Sequence, residues 1–321
     1  MTGLELVQVT ADDYIRDVLP HSAELWSYGR GFEEYVADFR TTALSAYGKR
    51  RFRTVGLRVD SRLVSSCKRY ERELRCDGQT FRAVGIGAVF TPPALRGRGY
   101  ATALVGALLD SERASGIDLA YLFSNIHPLF YERLGFTALP SRAISIRASS
   151  LDGRKLDAVA LSRHEWPAAR RCFEALERQR PFGLRRTALV WDWIEARRAS
   201  APAGRVDLAV RRGRALAAYV TGRRDVPADA YVVDEFAFAD DTGRAAIAPL
   251  LRVAAGDLRK VVGWLPPDVA RDALPAGAVK RRREGIAMIA PLSAIARSRW
   301  RDRKDQILRD RSDRVWSTDA I

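Results

Sequence analysis

The chain is poor in the residues that build metal and disulfide sites. It has three cysteines and three histidines, and none of them falls at metal-ligand spacing. An odd cysteine count excludes a disulfide framework and fits a reducing cytoplasm. Lysine is scarce too, with six residues at positions 49, 68, 155, 260, 280 and 304, which leaves 48 arginines among 54 basic side chains. No run of the roughly 18 apolar residues that a bilayer span needs is present; the longest uncharged stretch near one, residues 83–95, contains two prolines. The first twenty residues lack the basic start, apolar core and small-residue cleavage site of an export signal. Zinc modules, secreted frameworks and membrane proteins are therefore set aside, and the expected location is the cytoplasm.

Acidic residues do not balance the basic ones: 39 against 54 give a net charge of +15. Such a protein attracts polyanions whatever its task. GC-rich coding explains an arginine excess as readily as selection for phosphate binding does. No finger, aromatic-rich strand or recognition motif accompanies the charge, so nucleic acid is not the expected partner and an anionic cofactor is favoured.

What is present is enough apolar sequence, 47%, to bury a core, in 321 residues that suggest two domains. In the first half Phe32, Tyr35, Val36 and Phe39 recur at helical spacing. Strands are expected at 54–59 and 63–75, and after the Asp77-Gly78 turn at 80–91, whose apolar content suits a central strand. A glycine-rich turn and a helix follow, then a strand over 119–124, a helix over 128–134 and a strand over 143–147. Residues 1–148 are thus expected to close as one unit, with 149–153 as linker. The second half repeats this order: helices at 165–178 and 188–198, strands at 206–210, 216–221 and 231–238, a helix at 243–256, and strands at 261–265 and 285–289. A diverged duplication accounts for the recurrence. Residues 296–321 read as a charged tail, expected to be a helix packed on one domain.

The chemistry concentrates in Thr91-Pro92-Pro93-Ala94-Leu95-Arg96-Gly97-Arg98-Gly99-Tyr100-Ala101. The glycines permit tight turning and close approach, the helix start offers free N–H groups, and Arg96 and Arg98 add charge. A P-loop is excluded because Gly99 is not followed by Lys-Ser/Thr, and a dinucleotide fingerprint because position 102 is Thr.

Here the sequence resembles the GCN5-related N-acetyltransferase (GNAT) superfamily. Its Arg/Gln-x-x-Gly-x-Gly/Ala signature is matched by Arg96, Gly99 and Ala101; its downstream motif is matched by Asn125, Tyr131 and Gly135-Phe136. The close resemblance covers about residues 50–140. The two-unit layout is similar to the enhanced-intracellular-survival and fungal lysine acetyltransferases, in which one unit can be degenerate. The resemblance implies an α+β fold of α/β/α layers, with two GNAT-like domains at 1–148 and 154–295, each a mixed, mainly antiparallel sheet flanked by helices.

It also implies acetyl-CoA as co-substrate and no metal. The pantetheine arm would meet backbone at Val89, Phe90 and Thr91, and the pyrophosphate would sit on Gly97, Arg98, Gly99, Tyr100 and Ala101 beside Arg96. Asn125 and Phe130 would line the cofactor site. A backbone N–H near Val89 would hold the oxyanion, and Tyr131 would assist the leaving thiolate. The acceptor would be a primary amine, lysine-like or on a small cationic metabolite or drug. Residues 81–91 contain no acid, so the base stays open among Glu71, Glu73, Glu33, Glu34, His127 and a water chain. In the second half Asp240-Asp241 stand where phosphate would sit, which implies a non-catalytic domain. A non-catalytic acyl-CoA-binding scaffold is the alternative expectation, and homodimerisation is left open.

Overall fold

The computed structural model describes every residue except 1, 2, 28, 181, 201–203, 267 and 310–314. The chain opens with strand β1 (Leu4–Val9) and four short helices, α1 (Ala11–Asp17), α2 (Leu19–Trp26), α3 (Phe32–Leu44) and α4 (Ala46–Arg51). Side-chain caps start two of them: Thr10 accepts from the N–H of Asp13, and Ser45 from that of Gly48. Strands β2 (Phe52–Val59), β3 (Arg62–Cys76) and β4 (Gln79–Phe90) then form an antiparallel meander, with the expected turn at Asp77-Gly78. Helix α5 (Tyr100–Ala114) crosses over to β5 (Leu119–Ser124), parallel to β4, and α6 (Leu129–Glu132), β6 (Thr137–Ala138) and β7 (Arg142–Arg147) follow.

The second half comprises β8 (Ala158–Ala160), α7 (Trp166–Arg178), β9 (Phe182–Arg185), α8 (Ala188–Ala199), β10 (Leu208–Arg212), β11 (Ala215–Asp225) and β12 (Ala230–Phe238). Then come α9 (Asp241–Ala255), β13 (Lys260–Trp264), α10 (Asp268–Arg271), β14 (Ala278–Arg281), β15 (Ile286–Pro291) and α11 (Ala294–Arg309). The parallel pair β12–β13 repeats the parallel pair β4–β5, as a duplication requires.

Two mixed, mainly antiparallel sheets result. One runs β1-β2-β3-β4-β5-β15-β6, with β9 paired to the far end of β3, and the other runs β14-β7-β13-β12-β11-β10-β8. The expected closure of residues 1–148 is corrected here, because the halves exchange strands. β7 leaves the first half and pairs antiparallel with β13, from Ala143–Trp264 to Arg147–Lys260. β15 returns from the second half to pair with β5, from Ile286–Ser124 to Pro291–Leu119. A strand's alternation fixes which face is buried but not which neighbour supplies the ladder, so a local pattern cannot reveal the exchange.

The tail departs from a simple docked helix. α11 ends at Arg309, and residues 315–321 enter the space between the domains, where Trp316 stacks edge-on against Phe236 at 5.1 Å. One apolar cluster joins helices α1–α4 to the second domain through Tyr47, Tyr70 and Trp193, and a second lies under α5. Among the described residues, no helix is long and apolar enough to cross a membrane.

Candidate active site

The central strands part where the sequence places the chemistry. β4 and β5 are paired from Ala83–Leu119 to Ile86–Leu122, and beyond that point the ladder between them stops. β4 runs on to Phe90 and β5 to Ser124, so a wedge opens between them. β4 is also bulged: Ser66 faces Phe90 and Lys68 faces Gly87, which leaves Ala88 and Val89 opposite Cys67 alone. Ala88 adopts φ 47°, a left-handed conformation that costs a non-glycine residue about 1–2 kcal/mol. The bulge interrupts the ladder beside the wedge and leaves backbone groups there without a regular strand partner. Ser65 anchors the strand beyond it, its hydroxyl lying 3.0 Å from the carbonyl oxygen of Phe90 and 3.0 Å from the hydroxyl of Thr91.

The glycine turn follows directly. Leu95 is buried and pins it, while Gly97 and Gly99 stand at φ +77° and +80°. A Cβ built on either glycine would meet nothing within 4 Å, so their conformation rather than crowding calls for glycine, and the space before them is open. Gly99 caps α5 without a side-chain acceptor, and the first internal bond of the helix is from the Ala103 N–H to the Gly99 carbonyl at 2.9 Å. The N–H groups of Tyr100, Ala101 and Thr102 therefore remain available for an anion. Arg96 donates from Nε to the Thr91 carbonyl at 3.1 Å, and both Arg96 and Arg98 are exposed. These features fit a pyrophosphate-bearing ligand.

Tyr131 on α6 is 8% exposed, with Phe130 and Phe136 packed edge-on at 4.8 and 5.9 Å. Burial pushes its pKa up to about 12, with the Cys67 thiol adding to the effect. Cys67 is the residue opposite the bulge, so Tyr131 belongs to the same neighbourhood. Asn125 behaves differently from a side chain turned wholly to a ligand: its Oδ1 accepts the N–H of Gly285 at 2.8 Å and secures the approach to β15.

The bases suggested by the sequence are occupied elsewhere or turned to solvent. Burial opposes ionisation of Glu71, but Arg69, Arg51 and Arg82 more than reverse this and hold its carboxyl below the usual range. Glu73 pairs with Arg185 at 2.9 Å, and Glu33 and Glu34 are exposed. His127 is exposed, and its Nδ1 accepts the Leu129 N–H at 3.3 Å.

The feature that sequence reasoning missed is Ile321. A Cβ on Gly87 would stand 3.2 Å from the Ile321 carbonyl carbon and 3.3 Å from its oxygen. A Cβ on Gly85 would collide with the Ile321 side chain at 2.4 Å and with Tyr121 at 2.6 Å. The two glycines of β4 thus admit the tail to the strand's open end. Two glycines spaced to clear one face of an apolar strand were the available signal, but they do not say which segment fills the gap. Beside them is half-buried Lys68, which faces Gly87 across the ladder; its ammonium lies 5.3–6.0 Å from the rings of Tyr14, Tyr35 and Phe39. Burial draws its pKa down to about 8.

The corresponding corner of the second domain is closed. Asp240 caps α9 by accepting the Gly243 N–H at 2.9 Å, and a Cβ on Gly243 would lie 2.1 Å from the Ala217 carbonyl oxygen. A carboxylate already sits at this helix start. Among the described residues no group of three or more His, Cys, Asp and Glu could hold a metal ion.

Residues 13–139 match the acetyltransferase (GNAT) domain family. No curated protein sequence matches the chain. Among solved structures, the chain resembles a probable N-acyltransferase from Enterococcus faecalis V583, a conserved protein of unknown function, with TM-score 0.71 and 17% identity over 91% of this chain and 73% of that one. It also resembles Eis1 from Mycobacterium abscessus, with TM-score 0.58 and 15% identity over 90% and 73%. A tandem GNAT protein from the clavulanic acid biosynthesis pathway aligns with TM-score 0.55 and 14% identity over 90% and 99%. Residues 13–139 thus carry the sequence of an acetyltransferase (GNAT) domain, and the two-domain fold of the chain is similar to that of a tandem GNAT protein.

Proposed function

We propose that the chain is a cytoplasmic acetyl-CoA-dependent N-acetyltransferase acting on a primary amine, with its first domain catalytic and its second not. The observation that carries this reading is the meeting of three features: a wedge between β4 and β5, a bulge at Ala88–Val89, and a glycine turn with free helix N–H groups. Acetyl-CoA would supply an activated thioester. Gly97, Gly99 and the N–H groups of Tyr100–Ala101 would hold its pyrophosphate, with Arg96 and Arg98 at the rim. Val89, Phe90 and Thr91 would pair with the pantetheine arm that fills the wedge, and Phe130 would flank it.

In the transfer, the amine nitrogen bonds to the acyl carbon, the C–S bond breaks, and the proton lost by the amine balances the one gained by sulfur. The N–H at Val89 faces the developing oxyanion. Tyr131 donates a hydrogen bond to the departing sulfur without giving up its proton. With its pKa near 12 against about 8.5 for a thiol, full transfer would run uphill by roughly 5 kcal/mol. The main-chain oxygen of Ile321 accepts a hydrogen bond from the incoming amine at Gly87 and orients it. The cytoplasmic assignment rests on three cysteines that are free and buried.

Calorimetric titration of the full chain with acetyl-CoA tests the reading, beside a Gly99→Glu variant. Binding by the wild type that is lost in the variant is expected. A wild type that does not bind overturns the enzyme reading. Binding without acetyl transfer to any amine leaves an acyl-CoA-binding scaffold.

A further inference from the structure

A cavity of about 470 Å³ lies between the domains, and five arginines line it: Arg30, Arg197, Arg198, Arg205 and Arg223. Its two lining acids are already engaged. Asp38 stands 3.5 Å from Arg30, and Asp234 stands 3.0 Å from Arg205, which also pairs with Asp207 at 2.9 Å. The other three guanidiniums keep donors to spare. Arg198, with its side chain 9% exposed, has Asp207 and Glu235 no nearer than 3.6 Å, and its Nη1 has no hydrogen-bond partner. Arg197 lies over the Trp193 ring at 4.9 Å with no ion-pair partner among the described residues. Arg223 reaches Asp225 only at 3.8 Å. A concave site in which cations outnumber acids, with planar guanidiniums still able to donate, suits a carboxylate or a phosphate.

The cavity is near the reaction centre. Thr318 lines it, and Ile321, three residues on, lies against Gly87; three residues span at most roughly 10 Å. Lys68, which faces Gly87 across the ladder, feels the charges of Asp38, Arg197 and Arg30, all members of the cavity wall. The basic wall therefore adjoins the open end of β4.

We infer that this cavity receives the anionic end of the acceptor: the amine to be acetylated belongs to a molecule that also carries a carboxylate or phosphate. This deepens the N-acetyltransferase reading and rests on it. It narrows the primary-amine acceptor expected from the sequence, lysine-like or on a small cationic metabolite or drug, to one that carries an anion, because the wall would repel a second ammonium.

Two matched pairs of probes test the inference by calorimetric binding to the full chain in the presence of CoA. Lysine and cadaverine differ by a carboxylate, and O-phosphoethanolamine and ethanolamine differ by a phosphate. At least one anion-bearing probe is expected to bind about ten-fold more tightly than its partner, and which pair shows the difference identifies the anion. A double variant, Arg197→Ala with Arg223→Ala, should reduce the preference to about two-fold or less while acetyl-CoA affinity is unchanged. Arg197→Lys alone should keep most of it. Equal binding within both pairs, binding of no probe, or a preference that survives in the double variant overturns the proposal. Failure of the enzyme reading is seen separately, as absence of acetyl-CoA binding.

Discussion

Arg186 and Asp319, 133 residues apart, form a two-pronged ion pair, with Nε donating to Oδ1 at 3.0 Å and Nη2 to Oδ2 at 2.9 Å. Arg72 of β3 donates to the same Oδ1 at 2.9 Å, and Arg186 also reaches Glu235 of β12 at 2.7 Å. The Tyr219 hydroxyl donates to the other oxygen of Glu235 at 2.8 Å. All of these side chains are buried, so the first domain, the second domain and the tail meet in one ionic chain. Asp319 lies two residues before Ile321. The network therefore sets where the tail meets Gly87.

Removing one member should cost more than the pairs contribute, because it leaves a buried charge without compensation. Asp319→Ala is expected to lower stability by about 3–5 kcal/mol in urea unfolding, and to expose the tail to proteolysis. A loss below about 1 kcal/mol would show that the tail is not held this way. Burial opposes ionisation of Asp319 and Glu235, but their arginine partners win and keep both below the usual carboxylate range. Their stabilisation is thus complete above the unfolded-state pKa of about 4 and declines as pH falls below it. Asp319→Ala should remove part of that acid dependence.

Tyr131→Phe tests the donor role. Turnover should fall by about 10²–10⁴-fold while acetyl-CoA affinity stays nearly the same, because the hydroxyl matters chiefly as the sulfur departs. Stopped-flow turnover and calorimetry on the same preparations check both halves. Unchanged turnover would leave Tyr131 as a packing residue between Phe130 and Phe136.

Residues close together in sequence were the legible part of this site. The glycine turn, the hairpin before it and α5 could be read because proline, positive-φ glycine and helical spacing leave local marks. Three things could not. β1 carries Leu4, Leu6 and Val9 in too short a run to stand out from its surroundings. The exchange of β7 and β15 depends on partners more than a hundred residues away. Ile321 reaches Gly87 because of buried ion pairs whose members, Arg72, Arg186, Glu235 and Asp319, look in the sequence like ordinary surface charges. Charged residues are expected outside unless paired, and pairing is a property of the fold.

Lys68 has a testable linkage of its own. Its folded pKa of about 8 lies below the ordinary 10.5, so between those values the unfolded chain binds more protons and stability rises with pH. Below pH 8 the buried ammonium imposes a constant penalty of at most about 3 kcal/mol. Lys68→Met should therefore be more stable than wild type at pH 7, with the difference shrinking as pH approaches 10. Paired urea titrations at pH 7, 8.5 and 10 measure it. A difference independent of pH would mean that Lys68 titrates normally and that its gain or loss is packing alone.

The tail's part in the chemistry can be separated from its part in folding. Deleting Ala320 and Ile321 leaves Asp319, Arg72 and Arg186 in place, so the ionic chain that joins the domains should survive, with only the packing of the Ile321 side chain on β4 lost from stability. The oxygen beside Gly87 is lost, and with it the acceptor that orients the amine. Turnover at saturating acetyl-CoA is expected to fall by about 10²-fold, the scale of a misplaced reactant, with acetyl-CoA affinity unchanged. Gly87→Ala approaches the same question from the strand, since its Cβ would stand 3.2 Å from the Ile321 carbonyl carbon and push the tail away. If both variants turn over normally, the tail is only a filler of the β4 face, and the amine is oriented by other groups of the arginine-lined cavity.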